Sequence, residues 1–227
     1  MPKIRIVALS DTHGEHWKVQ VPDGDVLIHA GDFMRGGMDP VEIVDFARWM
    51  SAKPHPVKLL VAGNHDLFLE RSSGFARSLL TDMVYLENRG YEAYGLKFWG
   101  SPYTPEFNGW AFMAERGAAI QRHWDLIPES VDVLITHGPA YGRRDIYEGA
   151  SCGCRDLGAT IAQRQIPVHL FGHIHSGYGV EQTPTTTFYN VAVLDPDGRP
   201  TQPVTVLDLD VPEEKLGLAR PPGRWNG

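Results

Sequence analysis

Short apolar runs that stop at glycine, aspartate, asparagine or histidine recur along this chain. Ile4–Leu9 leads into Ser10-Asp11-Thr12-His13-Gly14, and Asp25–Ala30 into Gly31-Asp32. Val57–Ala62 ends at Gly63-Asn64-His65-Asp66, Val131–Ile135 at Thr136-His137-Gly138-Pro139, and Val168–Phe171 at Gly172-His173-Ile174-His175. Apolar runs of this length between turn residues predict buried strands. Helical spacing falls between them, over Pro40–Ala52, Leu67–Leu80, Ala114–Leu126 and Arg155–Gln165. Strands alternating with helices predict βαβ units and mostly parallel sheet. Two stretches depart from that rhythm. Val84–Ser101 reads as short strands with turns at Asn88-Arg89-Gly90 and Gly95, and Tyr178–Leu209 as a Thr-rich β segment turning at Asp195-Pro196-Asp197-Gly198. The simplest assembly is two mixed sheets face to face with helices outside, in a single domain over residues 1–210. Residues 211–227 read as an extended tail.

A chain of 227 residues can bury a large core without a disulfide or metal staple. Its two cysteines, Cys152 and Cys154, exclude a disulfide framework and, one residue apart, read as free thiols. Acidic residues outnumber basic ones by 28 to 21, for a net charge of -7, and no basic run stands out. That balance argues against a general phosphate-backbone binder, so no stable nucleic-acid complex is expected. No apolar stretch approaches the roughly 20 residues of a membrane span, and the first residues read as a strand rather than a signal peptide. A cytoplasmic location without a membrane partner is the expectation.

Chemistry gathers at the carboxyl ends of the predicted strands, the edge where open α/β sheets place ligands. Asp11, His13, Asp32, Asn64, His65, His137, His173 and His175 all stand there. Each block alone is an ordinary turn or helix cap. Together they form an oxygen and nitrogen donor set without thiolate, which suits Mn, Fe, Zn or Ni in two adjacent six-coordinate sites. Continued strand geometry would put positions i and i+2 on one side, so that Asp11 converges with His13 and His173 with His175. Two divalent ions roughly 3.5–4 Å apart clamp the attacking and leaving oxygens of an in-line displacement and generate hydroxide near neutral pH. Of the other histidines, His29 and His169 read as core residues, and His16, His55 and His123 as surface residues. The aromatics Trp99, Tyr103, Phe107, Trp110, Phe112, Tyr141 and Tyr178 fall in loops near the proposed site. Packing accounts for most of them, and stacking on a base for some.

The ordered set Asp11-x-His13, Gly31-Asp32, Gly63-Asn64-His65-Asp66, Thr136-His137 and Gly172-His173-Ile174-His175 resembles the calcineurin-like metallophosphoesterases over residues 4–210. Trp99-Gly100-Ser101-Pro102, Phe107-Asn108-Gly109-Trp110 and His175-Ser176-Gly177-Tyr178-Gly179 resemble its metallophosphoesterase-domain-containing branch. The resemblance implies a four-layer αββα sandwich of two mixed β-sheets flanked by helices. It implies a first metal held by Asp11, His13, Asp32 and His175, and a second held by Asp32 (bridging), Asn64, His137 and His173. His65 would act on the transition state without being a ligand, with Asp66 orienting its ring. Animal members of the branch carry Gly where this chain keeps His173, so an intact pair of sites is expected here. The implied activity is a dinuclear metal-dependent phosphoesterase, with manganese as the first choice of ion. Its substrates would be cyclic nucleotides or similar small phosphodiesters, opened by attack of a metal-bridging hydroxide. Asn108, Arg144 and Tyr178 are the expected substrate contacts, and an oligomer is allowed. The alternatives are a nucleotide-binding regulatory protein of low turnover, or a broad-specificity phosphatase or nuclease on the same scaffold.

Overall fold

The computed structural model describes residues 2–218 and 223–225. Along the chain come β1 (Lys3–Leu9), β2 (Val26–Ala30), α1 (Pro40–Ser51), β3 (Val57–Val61), α2 (Leu67–Arg71), α3 (Ser73–Ser78) and β4 (Val84–Tyr85). Then follow β5 (Arg89–Ala93), β6 (Leu96–Ser101), α4 (Ala118–Trp124), β7 (Val133–Thr136), α5 (Arg155–Arg164) and β8 (Val168–Phe171). The last elements are β9 (Gly179–Gln182), β10 (Thr187–Asn190), β11 (Thr205–Asp210), α6 (Glu213–Leu218) and β12 (Gly223–Trp225). One sheet has the order β11-β1-β2-β3-β4 and the other β9-β10-β8-β7-β6-β5-β12. Both are parallel at the centre, through β1 to β4 and through β6, β7, β8 and β10, with antiparallel strands on their flanks.

Strand alternation sorts the apolar residues into three cores. Ile4, Ile6 and Ala8 of β1, with Ile28 and Leu59, meet Phe98, Val133, Ile135 and Leu170 of the other sheet. The intervening Val7, Leu9, Leu27 and Leu60 pack under Ile43, Phe46 and Met50 of α1. On the far side Trp99, Leu134 and Phe171 lie under Ile120 and Trp124 of α4 and Leu157 and Ile161 of α5. The layers therefore run helix, sheet, sheet, helix, as the resemblance implied. Burial on both faces is why the central strands read as continuous apolar runs. Helix α1 starts where Asp39 accepts the Val41 amide at 2.9 Å, with Pro40 at the first helical position.

The structure corrects several boundaries. The helix expected over residues 67–80 breaks at Ser72, where Ser72-Ser73-Gly74 are weak helix formers. The helix expected from Ala114 begins only at Ala118, because Met113–Ala114 pairs with Thr104–Pro105 and Gly117, at φ 83°, cannot continue a helix. Past residue 210 the chain is not simply extended. Helix α6 follows Pro212, with Glu213 and Glu214 favourably placed in its first turn. Leu216 packs on the inter-sheet core, Lys215 pairs with Asp132 at 2.9 Å, and β12 pairs with β5. Residues 219–222 and 226–227 of the expected tail lie outside the described residues. His16 and His55 are buried, not on the surface. The turn His16–Lys18 folds over α1, so the His16 ring packs on Phe46 and Trp49 and pairs with Asp45 at 3.1 Å. Among the described residues no helix is long and apolar enough to cross a membrane.

Phe98 is fully buried where the two sheets meet. Phe98→Ala should destabilise the protein by about 3–5 kcal/mol in urea unfolding, the usual cost of an unfilled aromatic site. A loss below about 1 kcal/mol would show that the sheets do not depend on this contact.

Candidate metal centre

The loops after β1, β2, β3, β7 and β8 meet at one edge of the sandwich, and each carries part of the predicted donor set. Convergence does not arise from strand alternation. Asp11, His13, Asp32 and His173 adopt left-handed backbone, with φ of 55°, 40°, 57° and 68°. Such residues cost roughly 1–3 kcal/mol each and persist only where surrounding contacts enforce them. Here the loops interlock: the Asp11 amide donates to the Gly31 carbonyl at 2.9 Å and the His13 amide to the Asp32 carbonyl at 3.0 Å. Gly63 and Gly172 let the loops close. A Cβ at Gly63 would collide with Asp32 and stand 2.7 Å from His137 Cε1, and one at Gly172 would collide with Ser10 and Asp11.

Three imidazoles are oriented by one device. His137 Nδ1 lies 3.0 Å from the Ala30 carbonyl, His13 Nδ1 3.2 Å from that of Met34, and His175 Nδ1 3.3 Å from that of Asp195. A carbonyl only accepts, so each Nδ1 carries the proton and each Nε2 lone pair is left pointing inward. Those lone pairs meet oxygens. His137 Nε2 faces Asp32 Oδ2 at 3.3 Å and Asn64 Oδ1 at 2.9 Å. His13 Nε2 faces the same Asp32 Oδ2 at 3.7 Å, and His175 Nε2 faces Asp11 Oδ1 at 3.6 Å. Acceptor facing acceptor needs a proton or a cation between them. Two donors about 2.1 Å from one ion at right angles stand about 3 Å apart, so these separations fit ligands of a common ion.

The donors fall into overlapping groups: Asp11, His13 and His175; His13, Asp32 and His65; and Asp32, His137 and His173. Charge follows the same pattern. Burial pushes the Asp11 and Asp32 carboxyls up, but His175 beside Asp11 and His137 beside Asp32 hold both below the usual carboxylate range. Burial, with His137 nearby, takes His173 down to about 4, and burial also lowers His13. His137 is also buried, yet the Asp32 carboxylate carries it up to about 9. Ionised carboxylates thus face two imidazoles of lowered pKa, His13 and His173, and two that their carboxylate partners raise, His137 and His175, whose extra protons a divalent cation would displace.

Residues 4–177 match the sequence profile of the calcineurin-like phosphoesterases. The chain belongs to that family. Human metallophosphoesterase domain-containing protein 1 is 39% identical over 234 residues, covering 92% of this chain and 72% of the human protein. The UPF0046 protein C25E10.12 of Caenorhabditis elegans is 37% identical over 236 residues, 94% of this chain and 83% of its own length. The crystal structure of TT1561 from Thermus thermophilus shares the fold across 99% of both chains, with a TM-score of 0.62 at 13% identity. As a calcineurin-like phosphoesterase with candidate metal-binding groups, the protein is a metal-dependent phosphoester hydrolase.

In this phosphoesterase His65 sits at the mouth of the cluster. Its ring stacks on Trp110 at 4.2 Å and meets His13 edge-on at 4.7 Å. Asp66 does not orient that ring. Its buried carboxyl group accepts the amides of Asp32 (2.9 Å), Gly63 (2.7 Å) and Met34 (2.9 Å), tying the Asp32 loop to the Asn64-His65 loop. The His65 ring faces the Arg35 carbonyl at 3.4 Å instead. Burial, with Asp32 nearby, pushes the Asp66 carboxyl up to about 8.

A cleft of about 510 Å³ opens over the donors, walled by Arg35, His65, Phe107, Trp110, His173 and His175. Arg144 and Tyr178, expected at the substrate, do not line it. The Arg144 guanidinium bonds the Val180 carbonyl at 2.6 Å and the Tyr178 hydroxyl that of Pro203 at 3.0 Å. Asn108 lines a second cavity adjoining His173. Trp99 and Phe112 are core residues, whereas Phe107 and Trp110 reach the cleft. The sequence contained no signal separating these two from the other loop aromatics.

Asp66→Ala should strand three buried amides and cost about 3 kcal/mol or more in urea unfolding. It should also weaken metal uptake, measured by elemental analysis after dialysis. Unchanged stability would mean that those amides find other partners and that Asp66 does not organise the loops.

Proposed function

We propose that the protein is a dinuclear phosphodiesterase acting on cyclic nucleotides or similar small diesters, with manganese as its first-choice metal. The observation that carries this reading is Asp32 Oδ2, one oxygen facing the inward nitrogens of both His13 and His137. Asp11, His13, Asp32 and His175 would hold one ion, and Asp32, Asn64, His137 and His173 the other. Bound divalent ions supply Lewis acidity at the phosphoryl oxygens and lower the pKa of water. The protein's residues do the rest. Asp32 holds the two donor groups in register, with its Oδ1 taken by the His65 amide at 2.7 Å. The His65 ring, pinned by Trp110, stands in the cleft wall to stabilise phosphoryl oxygen or protonate the leaving oxygen.

Charge favours a diester. Two divalent ions against the carboxylates of Asp11 and Asp32 and one hydroxide leave about +1, which a diester monoanion neutralises. Arg35, which lines the cleft, pairs with Glu15 at 2.7 Å, so the two together add no net positive charge to offset a monoester's second charge. Phe107 and Trp110 offer flat faces to a base. His173, placed with Asp32 and His137, supports two complete sites and hence turnover rather than nucleotide binding alone.

Chelation should abolish diester hydrolysis, and manganese should restore it. Asp32→Ala should lose both ions and most turnover. Asp39→Ala removes only the α1 cap and should keep both ions while costing about 1 kcal/mol of stability. Two tightly held ions in the Asp32 variant, counted by elemental analysis, would refute the bridging assignment.

His65→Gln should keep both ions and lower kcat by about 10²–10⁴-fold, as expected on losing a general acid. The loss should grow with the basicity of the leaving group and be smallest for p-nitrophenol. A variant that loses metal, with no dependence on the leaving group, would make His65 a ligand.

A further inference from the structure

The phosphoester cleft is not the whole of the space around the donors. A second cavity of about 430 Å³ lies beside it, and Phe107 and His173 line both. Their rings stand 5.2 Å apart at 49° and form the partition. Beyond it, the cavity is walled by Ile174, Tyr147, Ser151 and Arg116. Its outer wall is the hairpin in which Ile146–Tyr147 pairs with Ala150–Ser151.

The hairpin is anchored, so this cavity is a built feature. Asp145 Oδ2 accepts the Gly142 amide at 2.9 Å and the Gly153 amide at 3.0 Å. Arg116 donates to the carbonyls of Cys152 and Gly153, both at 2.8 Å. Ser176, next to His175, donates to the Ile146 carbonyl at 3.1 Å. The hairpin is thereby tied to the loop that carries His175. Tyr147 is nonetheless 56% exposed, an aromatic ring at the rim with most of its surface still open to a ligand.

Among the small diesters of the proposed reading, an acyclic phosphodiester has two separate ester arms. His65 and Trp110 lie on the cleft side, where the diesterase reading places the leaving oxygen. The retained arm then needs a place on the other side of the phosphorus. We propose that the chamber walled by Phe107, Tyr147, Ile174 and Arg116 receives the retained ester group and selects a flat, unsaturated one, such as an aryl ring or nucleobase. Aromatic rings and a guanidinium face provide stacking, and Ile174 provides apolar contact. The reaction balances as hydrolysis. The oxygen of water bonds to phosphorus, the P–O bond to the leaving arm breaks, and a proton goes to the leaving oxygen. The retained group stays in the chamber as a phosphomonoester. The proposal rests on the diesterase reading and adds the substrate class.

Two diesters with the same leaving group test it: phenyl p-nitrophenyl phosphate and methyl p-nitrophenyl phosphate, with the manganese-loaded protein. The phenyl ester should be preferred in kcat/KM by about tenfold or more, the scale of one stacking contact. Ser151→Trp, which fills the chamber from the hairpin, should remove that preference, lowering kcat/KM for the phenyl ester far more than for the methyl ester. Tyr147→Ala should reduce it in part. Equal rates for the two esters, or a Ser151→Trp effect shared by both, would overturn the proposal. Alkylation of Cys152, a partly exposed thiol in the chamber wall, gives a reading independent of turnover. Phenyl phosphate should slow it and methyl phosphate should not, with buried Cys154 as the internal control. If neither diester is hydrolysed, that selective protection upholds the chamber and removes only the diesterase reading. Equal protection, or none, overturns the chamber.

Discussion

The catalytic edge depends on one buried carboxyl group that is not itself one of the donors. Asp66 accepts three backbone amides from the loops that follow the paired strands β2 and β3. Buried amides must be satisfied, so the Gly31–Met34 and Gly63–His65 turns are locked in one relative position. With the turns locked, the His65 amide reaches Asp32 Oδ1, and Asp32 Oδ2 is left to face both His13 and His137. The chemistry of the site is thus set by a hydrogen-bond network one layer behind it.

The site is also a seam between the two sheets. Asp11, His13, Asp32 and Asn64 come from loops of one sheet, and His137, His173 and His175 from loops of the other. The apolar layer between the sheets sets the distance across that seam, and a few hydrogen bonds, such as His137 Nδ1 to the Ala30 carbonyl, pin it. Near it, Ser10 hydrogen-bonds to Val191 and Val193, a direct backbone tie between the end of β1 and the segment after β10. Core packing and donor geometry are therefore one problem in this molecule. A shift of the sheets would change the gap between His137 and Asp32 before it exposed any apolar surface.

Much of this was legible in the sequence because it rests on local rules. Apolar runs ending in glycine marked the central strands, and the types of residue at their ends pointed to one cluster of oxygen and nitrogen donors. What escaped was set by tertiary contact. The left-handed turns at Asp11, His13 and Asp32 exist because neighbouring loops enforce them, which no strand pattern encodes. Asp66 looked like a partner for the adjacent His65, but its carboxylate is drawn to amides that only the fold brings near. Arg144 and Tyr178 are occupied by carbonyls of distant segments. His16 was misplaced because its burial depends on a turn folding over α1. Helix α6 was masked by the prolines and glycines around it.

Asp32 Oδ2 has a consequence for how the centre fills. In the proposed dinuclear centre one oxygen would serve both halves, so the halves would be in thermodynamic linkage and would not titrate as independent sites. A cation held on the His13 side would withdraw electron density from that oxygen and would fix its position for the His137 side. The first effect weakens the second cation's attraction, and the second removes the entropy of ordering it. Whichever effect dominates, the coupling is reciprocal. The identity of the ion in one half would then bias which ion the other half prefers, so the centre's composition would follow the joint concentrations of the free metals rather than two separate affinities.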